Sequence, residues 1–271
     1  MKPEPTPEKT PPATKKAKEP TLLVTVSKHA GRAIRDFDMI QEGDKIAVAV
    51  SGGKDSLSLL HVLRHRLKIS PVKFSFTAVH IDFELSGFDP RILIKYLEKE
   101  GFDHEVVKVS DLKGEKYEDI GCYRWSRHRR KALFELADSE GFTKIAFGHH
   151  MDDIAETIVL NQFYRGEIGA MKPRQELFGG RITLIRPLAY VREDEMVGLA
   201  RKLKIDSMGQ SKCANDDTSY RMKVKQFIRE MERTNPAVVK NIFHSLQNIK
   251  QDYLLQTVNQ PDVFFSCPKS A

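Results

Sequence analysis

The chain of 271 residues carries a formal net charge of +7 and is 40% hydrophobic and 30% charged. This length accommodates one large domain, or one domain with a small appendage. No run approaches the roughly eighteen apolar residues of a membrane-spanning helix, so we expect a soluble protein. The modest positive charge favours a polyanionic partner, but it is also common in proteins that never bind nucleic acid.

The terminal segments and the cysteines indicate the cellular compartment of the protein. Residues 1–20, MKPEPTPEKTPPATKKAKEP, lack an apolar stretch, which predicts a disordered tail rather than a secretory signal. Residues 258–271 are predicted to form a second, flexible tail. The cysteines, Cys122, Cys213 and Cys267, are too few and too scattered for a disulfide framework. This indicates a reducing compartment and predicts a cytoplasmic protein.

Short apolar runs alternate with helical patterns along residues 21–205. The runs that we predict as strands cover residues 45–50, 72–81, 104–109, 144–149 and 182–188. Such alternation implies an α/β fold, with a parallel sheet covered by helices on both faces. Residues 206–257 are predicted to be a helical C-terminal region, in which Asn235 and Pro236 open a helix.

The segment SGGKDS follows the first predicted strand and precedes a helix. Two glycines permit a tight turn with outward N–H groups, and the helix dipole adds to their attraction for an anion such as phosphate. Neither GxxxxGK[ST] nor GxGxxG is present, which argues against a standard NTPase or dinucleotide fold. A turn kept only for chain reversal is the alternative. The candidate phosphate-binding residues are Ser51, Gly52, Gly53, Lys54, Asp55 and Ser56, and Asp55 is also a candidate magnesium ligand.

A second polar segment, GHHMDDIAET, follows the fourth predicted strand at residues 148–157. Ligands of open parallel sheets bind beyond the carboxyl ends of the strands, so we expect Gly148 and its turn to face SGGKDS. Asp152 and Asp153 could equally be ordinary carboxylates at a helix N-terminus. Zinc binding is a further alternative, although the segment offers no additional ligands.

SGGKDS resembles the PP-loop signature of the ATP pyrophosphatase family, whose members adenylate a substrate and release pyrophosphate. The order SGGKDS, GC…SRxRR, GHHxDD and IRPL is similar to that of the tRNA 2-thiocytidine synthetase group, over about residues 25–255. The resemblance implies a Rossmann-like fold of the adenine nucleotide alpha hydrolase type, with ATP and magnesium as cofactors. It also implies adenine neighbours at His80 and Ile81, although a buried histidine at a strand end explains His80 as well.

In that group, a C-x-x-C pair and a later cysteine hold a 4Fe-4S cluster through three thiolates. Here Cys122 matches the first cysteine and Cys213 lies near the later one, but Trp125 replaces the second member of the pair. Cys122 and Cys213 are therefore the implied iron ligands of an incomplete set. Another ligand such as Cys267 could complete an altered cluster, the cysteines could act as persulfides without iron, or thiolation could be lost. Ordinary buried cysteines are the remaining alternative.

The predicted helix that contains Cys122 is strongly basic. Its cations could contact the phosphates of an RNA backbone, although a solvated helix face is the alternative. They are Arg124, Arg127, Arg129, Arg130 and Lys131. The resemblance implies a required aspartate at Asp153 and, at Arg129, a counterpart of a catalytic lysine in related enzymes. An arginine there would act electrostatically.

These observations predict an ATP-dependent tRNA-modifying enzyme that adenylates a pyrimidine carbonyl, in an anticodon-loop cytidine, and replaces the oxygen by sulfur. The predicted catalytic residues are Asp55, Arg129, Asp153, Cys122 and Cys213. One alternative is an adenylating enzyme with an amine nucleophile, and another is an ATP- or RNA-binding protein without turnover. The predicted partners are tRNA and an unspecified sulfur donor, and the resemblance implies a possible homodimer.

Overall fold

The computed structural model describes residues 20–84, 89–115, 120, 122–205 and 220–255, with the side chains of residues 122 and 123 excepted. Residues 1–19 of the first predicted tail, all of residues 258–271, Cys213 and Cys267 lie outside the described residues. Within the described part, no helix combines the length and apolar character that a membrane crossing requires.

One six-stranded sheet organises the chain, with strand order β3-β2-β1-β4-β6-β5. All neighbouring pairs are parallel except β5 with β6. The strands are β1 (Asp44–Ala49), β2 (Phe74–Asp82), β3 (His104–Lys108), β4 (Lys144–Ala146), β5 (Arg174–Leu177) and β6 (Ile182–Ile185). The predicted fold class and the five predicted strands are therefore confirmed.

Eight α-helices accompany the sheet in the described residues. They are α1 (Thr21–Asp36), α2 (Lys54–Ile69), α3 (Arg91–Glu100), α4 (Cys122–Ser139), α5 (Met151–Arg165), α6 (Glu193–Lys202), α7 (Tyr220–Thr234) and α8 (Val238–Ser245). The two faces of the sheet bury different sets of side chains, because alternate strand residues point in opposite directions. Ile46 and Val48 of β1 join the core under α1, α2, α5 and α6, whereas Ala47 and Ala49 join the core under α4.

Two elements were not predicted. Helix α1 buries Leu23, Val26, Ala30 and Ala33, whose spacing is helical, so the signal was present in the sequence. Strand β5 is polar, with the sequence RQEL, and its pairing with β6 rather than an apolar pattern makes it a strand. β5 lies at the edge of the sheet and runs antiparallel to its neighbour β6.

The C-terminal helices pack on the same core as the sheet. Val224 and Ile228 of α7 and Val239 and Phe243 of α8 belong to the larger apolar cluster. The Asn235 side chain accepts a hydrogen bond from the Ala237 N–H at 3.0 Å, immediately before α8. A boundary between residues 205 and 206 remains a prediction.

A buried histidine joins α2 to α3. The Nε2 of His61 lies 2.7 Å from the Tyr96 hydroxyl, and Arg64 donates to its Nδ1 at 3.1 Å. Burial, followed by the charge of Arg64, lowers the pKa of His61 to about 4. The imidazole is therefore neutral in the folded protein at neutral pH.

This depressed pKa predicts a pH-dependent stability. Between about pH 6.5 and about pH 4 the unfolded chain binds a proton that folded His61 does not, so stability falls as the pH drops through this window. We expect His61 to contribute a slope of up to about 1.4 kcal/mol per pH unit there. Urea unfolding of wild type and His61→Gln across this window should give a shallower pH dependence for the variant. Equal slopes would contradict the assignment.

Candidate active site

The SGGKDS turn connects β1 to α2 at the carboxyl end of the sheet. Gly52 has a φ of 85°, a conformation that favours glycine. The Ser56 hydroxyl donates to the Gly53 carbonyl at 3.0 Å and accepts from the Ser51 N–H at 3.3 Å. These bonds fix the turn, and α2 begins at Lys54 with its N-terminus at the loop. A helix N-terminus at a glycine turn attracts an anion.

Asp55 presents one engaged and one unengaged oxygen. Its Oδ2 lies 2.8 Å from the Lys54 Nζ. Its Oδ1 is buried and has no hydrogen-bond partner in the described part of the chain. A buried carboxylate oxygen without a donor is a suitable ligand for a hard cation, so the residue fits the magnesium role predicted for it.

The turn after β4 contacts the turn after β1. A Cβ added at Gly148 would lie 2.9 Å from both the carbonyl carbon of Asp55 and the N of Ser56. Such distances are shorter than van der Waals contact, so only a residue without a side chain allows the two turns to approach in this way. The GHHMDD and SGGKDS segments therefore line one crevice.

The two consecutive aspartates of GHHMDD have different surroundings. Asp152 is buried and accepts hydrogen bonds from Arg192 at 3.1–3.2 Å and from the Glu193 N–H at 2.8 Å, so it anchors the start of α6. Asp153 Oδ2 accepts from the His150 N–H at 3.0 Å and caps α5. Burial raises the pKa of Asp153, but His150, His149 and Arg221 together outweigh it and hold the pKa below its ordinary value. Asp153 is thus ionised at neutral pH.

A clamp from α7 holds Asp153, and the sequence analysis missed it. Arg221 donates from Nη2 to Asp153 Oδ1 at 3.0 Å and from Nε to Glu156 Oε2 at 3.1 Å. Lys225, one turn later, lies 3.7 Å from Glu156. No local pattern could reveal this contact, because Arg221 follows Asp153 by 68 residues. Arg221 and Lys225 of α7 thereby compensate the negative charge of Asp153 and Glu156 on α5.

Another cation, which is buried, lies near Asp153. Arg186, in the IRPL segment after β6, is 7% exposed and donates from Nη1 to the Lys172 carbonyl. Its Nε has no partner among the described residues. Burial lowers the pKa of Arg186 to about 10, with Asp153 acting against it. Burial also lowers the pKa of His149 to about 4, so His149 is neutral in this environment.

The proposed adenine neighbours lie at the end of β2. His80 and Ile81 are both buried, and His80 donates from Nδ1 to the Val50 carbonyl at 3.0 Å. This bond ties β2 to the residue before the SGGKDS turn. Burial lowers the pKa of His80, and the positive charge of Arg129 lowers it further. His80 therefore has a structural task in addition to any contact with a nucleotide.

The start of α4 lies against the end of β2. Trp125 packs on Phe83, with ring centroids 6.3 Å apart, and the guanidinium of Arg129 lies 5.2 Å from the Trp125 ring. An indole offers no lone pair for iron. No group of three or more His, Cys, Asp or Glu side chains that could hold a metal is present in the described residues. Because Trp125 stands where the second cysteine would be, α4 does not supply a C-x-x-C pair of thiolates.

The cations of α4 are mostly exposed and partly paired. Arg124 forms a two-pronged bond with Glu115, at 2.8 and 3.0 Å. His128 lies 3.2 Å from Asp111, and Lys131 lies 3.9 Å from the same carboxylate. Exposed pairs of this kind contribute little to stability and can exchange for phosphate. An RNA contact along α4 remains a prediction.

Similar proteins share most of this chain. A family model described as a PP-loop domain matches residues 23–232. The tRNA-cytidine(32) 2-sulfurtransferase of Geobacter sulfurreducens is 39% identical over 235 residues, which cover 83% of this chain and 90% of the relative. The protein of the same name from Tolumonas auensis is 36% identical over 238 residues, covering 86% and 79%.

A solved structure has the same fold. The U34-tRNA thiolase NcsA from Methanococcus maripaludis, determined with its [4Fe-4S] cluster, superimposes with a TM-score of 0.68 at 24% identity, covering 83% of this chain and 79% of that one. At this identity the likeness supports the fold alone. The match to the family model and the extent of the sequence similarity establish the relationship: the chain belongs to the PP-loop domain family and, within it, to the family of the tRNA-cytidine(32) 2-sulfurtransferases.

Proposed function

We propose that the protein is an ATP-dependent tRNA-modifying enzyme that adenylates the C2 carbonyl oxygen of an anticodon-loop cytidine and replaces that oxygen by sulfur. The observation that carries the proposal is the direct contact of the SGGKDS turn with the Gly148 turn, which brings the anion-binding loop to Asp153. The substrate class follows the relatives, whose names specify cytidine 32 of tRNA.

ATP binds with its phosphates on the SGGKDS turn. The glycine N–H groups and the start of α2 attract negative charge, and Lys54 supplies a cation beside Asp55. Asp55 holds magnesium through its unengaged Oδ1. When bound, the ion neutralises phosphate charge and orients the nucleotide. Adenine lies beside His80 and Ile81, at the carboxyl ends of the first two strands.

The adenylation forms one bond and breaks one. The cytosine O2 attacks the α-phosphorus, and the bond from that phosphorus to the bridging oxygen of pyrophosphate breaks. Asp153 stays ionised and accepts hydrogen bonds from the substrate, whereas Arg129 stabilises negative charge near the nucleotide. A sulfur nucleophile then adds to C2, and AMP leaves with the former carbonyl oxygen.

No step of this sequence uses an iron–sulfur cluster, because Trp125 occupies the position of a paired thiolate. Cys122 and Cys213 remain candidates for sulfur chemistry. An amine nucleophile is a second candidate, and Trp125 in place of a ligand is the observation that favours it. In that case AMP formation would be unchanged, but no sulfur would enter the RNA.

The test is a direct assay of both half-reactions. Purified protein with ATP, magnesium, unmodified tRNA and sulfide should release AMP and pyrophosphate and form 2-thiocytidine, detected by nucleoside mass spectrometry. Asp55→Asn should lower pyrophosphate release about a hundredfold, since a metal-binding charge is removed.

Three results would change the proposal. No RNA-dependent pyrophosphate release would leave only an ATP- or RNA-binding protein. Release without thiocytidine would favour the amine nucleophile. Anaerobic iron and sulfide analysis, with Cys122→Ser beside wild type, gives a separate readout. About four irons per chain, lost in the variant, would contradict the conclusion that no step uses a cluster.

The contact at Gly148 makes a second prediction. Gly148→Ala forces a methyl group against the backbone of residues 55 and 56, which displaces the SGGKDS turn. We expect the Kd for ATP to rise about tenfold in isothermal titration. Gly169→Ala is the matched control, because its Cβ would meet only the Asn161 side chain at 3.9 Å. Equal affinities for the two variants would refute the contact.

The clamp at Asp153 makes a third prediction. Arg221→Gln removes a cation that lowers the pKa of Asp153, so this pKa rises and the acid limb of pyrophosphate release moves to higher pH. We expect kcat to fall about tenfold at neutral pH. The other charged or titratable groups facing Asp153 are His149, His150, Glu156 and Arg186.

The control for this variant lies on the same helix. Arg229→Gln removes a 60% exposed cation that bonds Glu193 at 3.3 Å rather than Asp153. Its pH profile should match wild type, and Arg221→Lys should recover part of the lost rate. If both glutamine variants shifted the profile equally, the role of Arg221 would reduce to general stabilisation of α7.

A further inference from the structure

Two exposed tyrosines form a stacked pair where α5 ends and α7 begins. The ring centroids of Tyr164 and Tyr220 are 4.2 Å apart, with 36° between the ring planes. The residues are 41% and 61% exposed among the described part of the chain. Aromatic rings of this size usually gain stability by burial, so an exposed stack is a surface available to a planar partner.

A second ring pair continues the same surface. Phe163 and Phe227 lie with centroids 5.7 Å apart, and they too are exposed. Tyr220 and Phe227 are seven residues apart, which places them on one face of α7. Each pair therefore joins α5 to α7, with the tyrosines nearer the start of α7.

Positive charge accompanies the tyrosine pair. The Nζ of Lys223 lies 5.6 Å from the centroid of the Tyr220 ring, and Arg165 follows Tyr164 on the exposed end of α5. Aromatic rings interleaved with cations are the usual features of surfaces that bind single-stranded nucleic acid. The rings stack on bases and the cations meet phosphates.

The pair lies on the same two helices as the Arg221–Asp153 bond. Tyr220 directly precedes Arg221, whose Nη2 lies 3.0 Å from Asp153. Tyr164 follows Asp153 by eleven residues of α5, or about 16 Å of helix rise, so a nucleotide stacked on the tyrosine pair would not be the immediate neighbour of one that reacts at Asp153. The unpaired nucleotides of an anticodon loop can adopt such an arrangement, because their bases are free to leave the stack.

We propose that Tyr164, Tyr220 and Lys223 form a platform for an unpaired base of the RNA substrate, on the same two helices that hold Asp153. The inference rests on the proposed function, since it requires an RNA substrate. The platform does not read sequence, because every base has a face that can stack. It contributes affinity and holds the loop open while the reacting base enters the crevice.

The test is RNA binding by a double variant, Tyr164→Ala with Tyr220→Ala. Fluorescence anisotropy with an anticodon stem-loop RNA should show a Kd raised at least about tenfold, as expected for one lost stacking contact. Tyr220→Phe keeps the ring and should bind nearly as well as wild type. Lys223→Gln should reduce the dependence of log Kd on log salt by about one unit.

The control is an exposed aromatic residue elsewhere. Phe178 is 60% exposed and contacts Phe134 rather than the tyrosine pair, so Phe178→Ala should leave RNA affinity unchanged. The ATP affinity of every variant should equal that of wild type, which verifies that the fold is intact.

The outcomes separate this inference from the proposed function. Failure of wild type to bind RNA would overturn both. Binding by wild type with an equal Kd for the double variant would overturn the platform alone. A changed oligomeric state in light scattering, with RNA affinity unchanged, would assign the surface to a second copy of the chain and also overturn the platform.

Discussion

The candidate site depends on the close approach of two backbone turns at the carboxyl end of the sheet. Strands β1 and β4 are parallel neighbours, so the turns that follow them emerge side by side. Gly148 lets the second turn approach to within 2.9 Å of the first, measured from the position that a Cβ would occupy. The loop suited to phosphate and the residue suited to the substrate are thereby held side by side.

The same approach explains how two adjacent carboxylates have unlike roles. Successive residues at the start of a helix point about 100° apart, so Asp152 and Asp153 face different neighbours. Asp152 accepts a hydrogen bond from Arg192 and anchors the start of α6. Asp153 instead accepts a hydrogen bond from Arg221 of α7. The charge of Asp153 is thus held by its neighbours His150 and His149 together with a helix that is remote in sequence. Glu156, one turn later, shares that cation, which couples the two carboxylates electrostatically.

Much of the fold was predictable, because buried parallel strands have short apolar sequences. The SGGKDS segment is also specific for a turn between a strand and a helix. Helix α1 could also have been predicted from the helical spacing of its apolar residues, but it was not. Strand β5 could not be predicted from its sequence, because its residues are polar and it is a strand only through its pairing with β6. The motif residues of the site could be named, but their partners could not. Arg192 and Arg221 lie 40 and 68 residues beyond the aspartates that they hold, and only the packing of α6 and α7 on the core brings them there.

The distance of Arg221 from Asp153 along the chain also has a consequence for the order of assembly. During synthesis every strand of the sheet leaves the ribosome before α7 does, so the nucleotide loop can form while Asp153 still lacks its counter-ion. A nascent chain that ends before Tyr220 would thus contain the whole sheet and an unclamped aspartate. The final helices are then the step at which Asp153 gains its ion pair with Arg221.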